Sequence, residues 1–453
     1  MQMNDSLIEQ LAADLKQESL HAGRAVVLGI DGVPHSLLLK LISSGIMPNM
    51  ARLVEAGTLG RMQSTLPSVS SVAWTSFRTG LNPGQHGITG FIDRRPRSYK
   101  TYLPTTNNIL VPTIEEYAQN FGLKVFTMGM PVNYPPVKLK NGISIGCFLS
   151  PSVEKGVFPP SALADLKEID YQLDVNPRLA ATDPARFIEE IFLATERYRA
   201  AMFKFWEREK WDLMLVHFMS TYPLHHFMWD QYEDMTAPFH GDFLRLYARI
   251  DEIIGEVSDR IEEGALLMML SDHGFCAVKW EVNLNWWLQQ EGMLRFQTGS
   301  PRSLEEIDGR SLAYSLIPGR FYINLKGREP RGSVEPGEAY DQVRWRIAEE
   351  LLKLRNPDNG DAVIERVEMR ETLYGEDTCG VTPDLVAMAK PGYDLKDQVA
   401  GRELFKKPFL KGIHTYDDAF VFVNKPLALP EDFRIYEATR IVAEHCRCRS
   451  PLL

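Results

Sequence analysis

The sequence predicts an α/β protein in which a mostly parallel central sheet is flanked by helices and carries an inserted cap. Two observations predict the sheet and its helices: short apolar runs of strand length alternate along the chain with longer amphipathic segments of helical period. In addition, polar residues suited to catalysis stand directly after two of the apolar runs. Open α/β sheets place their ligands at the carboxyl ends of strands, so a functional site is expected there.

The individual elements follow from the same patterns. Buried strands are predicted at residues 25–30, 124–128, 212–218, 266–270, 384–388 and 419–423. Helices are predicted at residues 35–44, 48–56, 71–79, 184–209, 242–261 and 339–355. Strands separated by helices are typical of parallel sheets, because parallel strands need long crossover connections.

One stretch of the chain interrupts this alternation. Residues 280–287 are rich in Trp and residues 299–337 are polar and rich in Pro and Gly. With 453 residues, of which 44% are hydrophobic, the chain can bury one large core. We therefore expect one core in two parts, residues 1–278 and 371–453, with residues 279–370 forming a cap over the sheet's carboxyl edge.

The composition argues against several classes of partner. A net charge of -10 and a pI near 5.6 disfavour broad binding to nucleic acid or to anionic membranes. The first 23 residues lack the apolar core of a signal peptide, and no run of about 18 apolar residues occurs. The five cysteines are scattered, which suits a reducing compartment: Cys147, Cys276, Cys379, Cys446 and Cys448. We expect a cytoplasmic protein, and its oligomeric state stays open.

Two polar positions follow predicted strands. Asp272 and His273 lie in Ser-Asp-His-Gly-Phe, directly after the apolar run that ends at Leu270, and both are metal-ligand residue types. The alternative is that Asp272 caps the next turn and His273 is an ordinary loop histidine. Asp31 leaves the first strand in the same way, although an Asp before Gly32 is also a common turn.

Three further residues complete the candidate site. Ser70 stands at the start of the helix that Gly80 ends, so its hydroxyl would face the positive end of the helix, where phosphate binds favourably. The alternative is that Ser70 only caps this helix. His226 and His414 lie in Thr-Tyr-Pro-Leu-His-His and Gly-Ile-His segments, and each alone is more often structural than a ligand.

Taken in order, these residues resemble the alkaline phosphatase superfamily, and within it the type I phosphodiesterase/nucleotide pyrophosphatase family. The predicted phosphohydrolase/phosphomutase group of bacteria and archaea is the most similar branch. The supporting segments, spread over nearly the whole chain, are residues 27–32, 47–53, 73–77, 79–88, 271–275 and 412–414. The resemblance implies an alkaline-phosphatase-like fold.

The resemblance also implies a chemistry: two divalent ions clamp a phosphoryl group, and a metal-activated hydroxyl attacks it. By motif position the nucleophile is Ser70, with Ser71 as the fallback. One ion would be bound by Asp31, Ser70, Asp272 and His273, and the other by His226 and His414, with Tyr222 at the third position. The expected activity is hydrolysis of a small phosphate mono- or diester through phosphoserine, with Zn²⁺ and Mn²⁺ equally suited to such ligands.

Two positions depart from the family pattern. Most relatives carry Asp at the position of Tyr222, so the second ion would need a Tyr222 phenolate, Asp230 or His225, or its site would be weak or empty. A single-metal or non-catalytic relative that binds a phosphorylated ligand or a protein partner is therefore the alternative function. Phe91 stands where nucleotide pyrophosphatases carry an Asn that contacts the phosphoryl oxygen, which disfavours that activity. Sulfatases are disfavoured because their modification motif is missing. The substrate stays open.

Overall fold

A computed structural model describes residues 23–375 and 380–448, so Cys379 and the first 22 residues lie outside the described part. The strands are β1 (Ala25–Ile30), β2 (Thr58–Met62), β3 (Asp93–Arg94), β4 (Thr101–Tyr102), β5 (Val125–Met128), β6 (Gly142–Ile145), β7 (Val157–Phe158), β8 (Leu213–Phe218), β9 (Leu266–Leu270), β10 (Gly274–Ala277), β11 (Trp280–Asn283), β12 (Ala313–Leu316), β13 (Arg320–Ile323), β14 (Ile364–Met369), β15 (Leu385–Ala389), β16 (Tyr393–Lys396), β17 (Phe405–Lys406), β18 (Gly412–Thr415) and β19 (Ala419–Val423).

The helices are α1 (His35–Ser43), α2 (Pro48–Ala56), α3 (Ser70–Thr79), α4 (Pro83–His86), α5 (Ile114–Asn120), α6 (Leu163–Glu168), α7 (Leu179–Thr182), α8 (Pro184–Arg208), α9 (Thr221–Glu233), α10 (His240–Ser258), α11 (Leu284–Gln290), α12 (Glu338–Leu352), α13 (Arg370–Tyr374) and α14 (Ile435–His445). Short 3₁₀ turns lie at Thr106–Asn108, Pro160–Ala162 and Leu304–Glu306.

The main sheet has eight strands in the order β2-β19-β9-β1-β8-β5-β6-β7. Strands β9, β1, β8, β5 and β6 run parallel to one another. Near one edge β19 pairs antiparallel with β2 and β9, and at the other edge β7 pairs antiparallel with β6. Helices flank this sheet, so the predicted α/β fold with a mostly parallel central sheet is confirmed.

Burial on both faces explains why the parallel strands are continuously apolar. In β1, Val26 and Leu28 join the core on one face, with α8 and α10, while Ala25 and Val27 join the core on the other face, with α3 and α14. Side chains alternate across a strand, so a strand covered on both sides needs apolar residues at every position.

One predicted strand lies in a different sheet from the one expected. The run predicted at 384–388 forms β15, which lies in a separate four-stranded sheet of order β12-β13-β15-β14 with antiparallel pairing, not in the main sheet. A short apolar run has the same pattern in either sheet, so the sequence could not assign it. Strands β2, β6 and β7 of the main sheet were missed because they are short or partly polar.

The small sheets and a third hydrophobic cluster form what we call the second lobe, residues 280–406. This cluster includes residues from Val282 to Leu395, together with Tyr99 from the core part of the chain. The division of the chain at residues 279 and 370 stays a prediction. Strands β15, β16 and β17, which follow residue 370, also lie in the small sheets of the second lobe.

A buried ion pair connects the second lobe to Asp93, the first residue of β3. Arg320 and Asp93 have fully buried side chains, with 2.6 Å between Nη1 and Oδ1, and the same guanidinium donates to Thr89 and to the carbonyl oxygen of Ile92. Removing one partner of such a pair leaves a buried charge uncompensated.

We therefore expect Arg320→Met to lower the free energy of unfolding by about 3–5 kcal/mol. Urea denaturation followed by circular dichroism measures this change. The control is Arg310→Met, which removes an exposed pair with Asp308 and should cost at most about 1 kcal/mol. Equal stabilities of the two variants would show that the buried pair contributes nothing.

Within residues 23–375 and 380–448, no single helix is long and apolar enough to cross a membrane. Helices α1 and α2, bent by 106° relative to each other, pass the same test as a pair by length and composition only. Leu37, Leu38 and Leu41 of α1 and Met50 of α2 pack into the core beside the main sheet.

Candidate active site

The structure brings the predicted residues together at the carboxyl edge of the main sheet. Asp31 follows β1, and Asp272 and His273 follow the neighbouring strand β9, while Ser70 is the first residue of α3. All four residues are at most 1% exposed. Because β1 and β9 are parallel neighbours, their carboxyl ends meet at one place, as the sequence predicted.

Four ligand-type atoms converge in this first cluster. The Nε2 atom of His273 lies 3.2 Å from the Ser70 hydroxyl, 3.2 Å from Asp272 Oδ2 and 3.9 Å from Asp31 Oδ1. Its Nδ1 atom lies 3.0 Å from the carbonyl oxygen of Gly274. A carbonyl oxygen can only accept, so Nδ1 donates, and in the neutral ring Nε2 turns its lone pair to the cluster.

Two carboxylate oxygens of the cluster have no hydrogen-bond donor among the described residues. Asp31 Oδ1 and Asp272 Oδ2 are both buried and unpartnered. Their companion oxygens are occupied: Asp31 Oδ2 lies 2.9 Å from His217 Nε2, and Asp272 Oδ1 accepts from the Gly32 amide at 3.0 Å. Buried anionic oxygens without a hydrogen bond are unfavourable unless a cation lies nearby. Carboxylate, imidazole and hydroxyl groups are ligands that suit a divalent metal ion.

The two carboxyl groups have different electrostatic surroundings. Burial raises the pKa of Asp272, and the charge of Asp31 raises it further. Burial also acts to raise the pKa of Asp31, but the hydrogen bond and charge of His217 bring that pKa below its usual value. Two carboxylates this close repel each other unless a cation lies between them.

Gly32 explains why an Asp-Gly pair ends β1. Its φ of +65° lies in the left-handed region, which glycine adopts without strain. An added Cβ would also lie 3.0 Å from the ring of Phe275. The turn at Gly32 presents its amide to Asp272, so the pair serves the site as well as the turn.

His226 of α9 and His414 of β18 form a second cluster beside the first. Their Nε2 atoms are 3.0 Å apart, and the ring of His414 stacks on His273 with 3.6 Å between centroids. Each Nδ1 faces a carbonyl oxygen, that of Gly412 at 3.0 Å for His226 and that of Ser68 at 2.9 Å for His414. Both Nδ1 atoms therefore donate, and two neutral rings would point their Nε2 lone pairs at each other.

That arrangement needs a cation or a shared proton between the rings. Burial lowers the pKa of His226 to about 3, and burial likewise lowers the pKa of His414. A proton is therefore held weakly at neutral pH, and the pair fits a metal ion bound through two neutral imidazoles.

Tyr222 stands over this second cluster as an aromatic ring. The centroid of its ring lies 4.4 Å from that of His226 and 6.2 Å from that of His414. Burial raises the pKa of Tyr222, and the charge of Asp31 raises it further, so the phenolate form is disfavoured. Tyr222 thus has the position of the expected acidic ligand without its charge.

His225 and Asp230, the two residues that could replace the missing acidic ligand, have other partners. His225 faces the carbonyl oxygen of Gly32 at 3.1 Å with Nδ1 and the hydroxyl of Tyr247 at 2.6 Å with Nε2. Asp230 pairs with Lys411 at 3.3 Å, and both side chains are nearly half exposed. Neither alternative supplies the missing carboxylate in this structure.

The structure separates the two serines at the start of α3. Val69 occupies the N-cap position, so Ser70 is not the cap, and its hydroxyl contacts His273. The Ser71 hydroxyl is buried and makes no hydrogen bond among the described residues. Of these two hydroxyls, the one that contacts the first cluster is therefore that of Ser70.

Sequence reasoning missed two residues that contact Asp31. His217 lies within β8, and Trp74 lies on α3, where its indole nitrogen is 3.4 Å from Asp31 Oδ2. The signal that could have found His217 is a single histidine inside an otherwise apolar strand, Leu-Met-Leu-Val-His-Phe. The indole of Trp74 has no comparable signal.

Aromatic rings and a cavity border the site. Phe91 lies against Phe148, with 5.9 Å between centroids, and Phe148 stacks on Tyr222 at 6.4 Å. A cavity of about 270 Å³ has His414 and Ser68 in its lining, together with Arg366 and other residues of the second lobe. This cavity therefore lies between the core and the second lobe, next to His414 of the second cluster.

The family model described as type I phosphodiesterase / nucleotide pyrophosphatase matches residues 25–417. The chain belongs to this family. The predicted resemblance is confirmed, and as a member of the type I phosphodiesterase / nucleotide pyrophosphatase family the protein is a phosphoric ester hydrolase. A search of curated proteins found no match.

Solved structures share the fold of this family member. Phosphonoacetate hydrolase from Sinorhizobium meliloti 1021, in complex with phosphonoacetate, is 16% identical with a TM-score of 0.64, over 94% of this chain and 96% of that chain. Human ectonucleotide pyrophosphatase / phosphodiesterase 5 is 13% identical with a TM-score of 0.55, over 94% and 96%. An inactive murine form of the latter, in complex with AMP, is 14% identical with a TM-score of 0.52, over 94% and 95%. At such low sequence identities, these similarities show a shared fold and do not show a shared function.

Proposed function

We propose that the protein is a metal-dependent hydrolase of a phosphate mono- or diester that acts through a phosphoserine intermediate at Ser70. The observation that carries this proposal is the convergence of the Ser70 hydroxyl and His273 Nε2 with two buried carboxylate oxygens that have no hydrogen-bond donor in the described chain. A structural core would leave such oxygens paired.

Asp31, Ser70, Asp272 and His273 would hold one divalent ion, Zn²⁺ or Mn²⁺, and His226 and His414 would hold a second one beside Tyr222. Such ions, when bound, lower the pKa of a coordinated hydroxyl and neutralise charge on a phosphoryl group. The first set carries two carboxylates and the second none, so we expect the first ion to bind more tightly.

The reaction then has two displacement steps at phosphorus. Ser70 Oγ attacks phosphorus and loses its proton to solvent, while the bond to the leaving oxygen breaks and that oxygen takes up a proton. Water next attacks the phosphoserine, which restores the hydroxyl and releases phosphate when the substrate is a monoester or a phosphate monoester when the substrate is a diester. The positive end of α3 favours phosphoryl charge beside Ser70 throughout.

The substrate class follows from the size and place of the site. The cavity of about 270 Å³ beside His414 suits a small organic group attached to the phosphoryl centre. The structural relatives bind small ligands of this kind, phosphonoacetate in one case and AMP in another. We propose a small phosphate ester as the substrate; cytoplasmic location and the lack of nucleic-acid and membrane partners stay predictions.

The test is a panel of phosphate monoesters, phosphate diesters and phosphonates, assayed with metal-free protein to which Zn²⁺ or Mn²⁺ is added back. We expect turnover of at least one substrate class with added metal and loss of turnover on chelation. Full turnover by the chelated protein would contradict metal dependence. Phosphate trapped covalently on any residue other than Ser70 would contradict the intermediate.

The missing carboxylate at Tyr222 gives a separate prediction. Tyr222→Asp should tighten binding of the second ion by at least about tenfold, equal to about 1.4 kcal/mol, because it adds a negative charge beside two neutral imidazoles. Metal titration of metal-free protein by calorimetry measures both sites, and turnover at limiting metal should rise in parallel.

The matched control is Tyr222→Phe, which removes only the hydroxyl and should leave the second site as weak as in the wild type. Equal affinity of the two sites in the wild type would show that another group already supplies the charge. A second site weakened by Tyr222→Phe would show that the phenol itself is a ligand.

A further inference from the structure

His217 is a buried polar residue that has no role in the proposed displacement steps. It lies in the middle of the main sheet, in β8, and its side chain is fully buried. Its Nδ1 atom faces the carbonyl oxygen of Gly129 at 3.1 Å, and its Nε2 atom lies 2.9 Å from Asp31 Oδ2. Both partners are oxygen acceptors, so a hydrogen bond to either oxygen is donated by the ring.

Neighbouring residues on β1 and α3 pack around the imidazole of His217. His217 pairs in register with Gly29 of β1, two residues before Asp31. The indole of Trp74 packs edge-on against the ring of His217, with 4.9 Å between centroids, and a Cβ on Gly29 would meet that indole at 2.5 Å. The absent side chain of Gly29 therefore lets Trp74 approach both His217 and Asp31.

The contacts divide the two oxygens of Asp31 between different roles. Oδ2 accepts from His217 and lies 3.4 Å from the Trp74 indole nitrogen, while Oδ1 has no hydrogen bond and faces His273 Nε2 at 3.9 Å. A carboxylate held through one oxygen cannot rotate freely, so the other oxygen keeps one direction. That direction is the first cluster, where Ser70 and Asp272 also lie.

We propose that His217 is a positioning residue, which holds Asp31 through Oδ2 so that Oδ1 alone binds the first metal ion. This inference rests on the proposed function, because it concerns the ion that Asp31, Asp272, His273 and Ser70 would hold. Side chains that orient a metal ligand in this way typically contribute about 10–100-fold to metal affinity.

Two amide substitutions separate the two hydrogen bonds of His217. In His217→Gln the amide nitrogen takes the place of Nε2 and can still donate to Asp31, whereas in His217→Asn it takes the place of Nδ1 and can reach only the Gly129 side. Both variants remove the ring and keep one polar group, so their effects on folding are comparable. Thermal unfolding of the metal-free proteins checks this.

The measurement is calorimetric titration of the metal-free proteins with Mn²⁺ and, separately, with Zn²⁺. We expect His217→Asn to weaken the first site by about 10–100-fold and His217→Gln to stay much closer to the wild type. Turnover of His217→Asn should recover as metal is raised to saturation. The matched control is His86→Asn, since His86 is equally buried and hydrogen-bonds Ser76 away from Asp31, and it should leave metal affinity unchanged.

Equal metal affinity of His217→Asn and the wild type, or equal loss in the Asn and Gln variants, would overturn the inference while leaving the proposed function standing. A wild-type protein that binds neither ion would overturn the proposed function and this inference with it. A Co²⁺ absorption spectrum that reports one fewer nitrogen ligand in His217→Gln would show that His217 is itself a ligand, which also overturns the positioning role.

Discussion

Ser70→Ala is expected to lower kcat by about 10³-fold or more at saturating metal, while the protein stays folded. The hydroxyl is the group that forms the bond to phosphorus, and no other described hydroxyl contacts His273 Nε2. Its loss should change the free energy of unfolding by no more than about 1 kcal/mol, because Val69 and not Ser70 occupies the N-cap position. Steady-state kinetics and urea denaturation measure the two quantities.

Ser71→Ala is the matched control, since Ser71 is the next residue of the same helix and is equally buried. Its hydroxyl makes no hydrogen bond among the described residues, so its removal should leave turnover within a few-fold of the wild type. Loss of turnover in Ser71→Ala together with normal turnover in Ser70→Ala would move the nucleophile to Ser71.

Asp272→Asn is expected to weaken the first metal site by at least about 100-fold and to reduce turnover in parallel. The amide oxygen can still accept from Gly32, but the charge that offsets the ion is lost. Calorimetric metal titration measures the affinity. Asp251→Asn is the control: Asp251 is equally buried, and its carboxylate accepts from the amides of Asn49 and Met50 away from the site.

The same substitution should have the opposite effect on the stability of the metal-free protein. Burial, together with the charge of Asp31, raises the pKa of Asp272, so its ionised form opposes folding. A raised carboxyl pKa stabilises the fold at low pH, and this contribution is lost as the pH rises through the raised value. Metal-free Asp272→Asn should therefore be the more stable protein at pH 7, with a smaller advantage near pH 4.

Denaturation of both proteins across that pH range, with and without metal, tests the pair of effects. Added metal should stabilise the wild type by RT ln(1 + [metal]/Kd) and the variant far less. A metal-free variant less stable than the metal-free wild type at pH 7 would mean that Asp272 is held by its hydrogen bond to Gly32 and is not strained by its charge.

The local elements near the site were predictable because their signals are local. The helix predicted to follow Ser70 and to end before Gly80 is α3, which begins one residue earlier, at Ser70, and the apolar run at 25–30 coincides with β1. The segment at 384–388 shows the limit of such signals. It is a strand, Leu385–Ala389, but it pairs in the second lobe, because an apolar run does not specify its neighbours.

By itself, the sequence determined the family, the strand-end positions of Asp31 and of Asp272 with His273, and the absence of a carboxylate at Tyr222. These are matters of residue type and of order along the chain. Only the tertiary structure decided that His217 holds one oxygen of Asp31 and that His226 faces His414. The physical reason is distance along the chain: these contacts join residues 186 and 188 positions apart, and no local pattern couples side chains that only folding brings together.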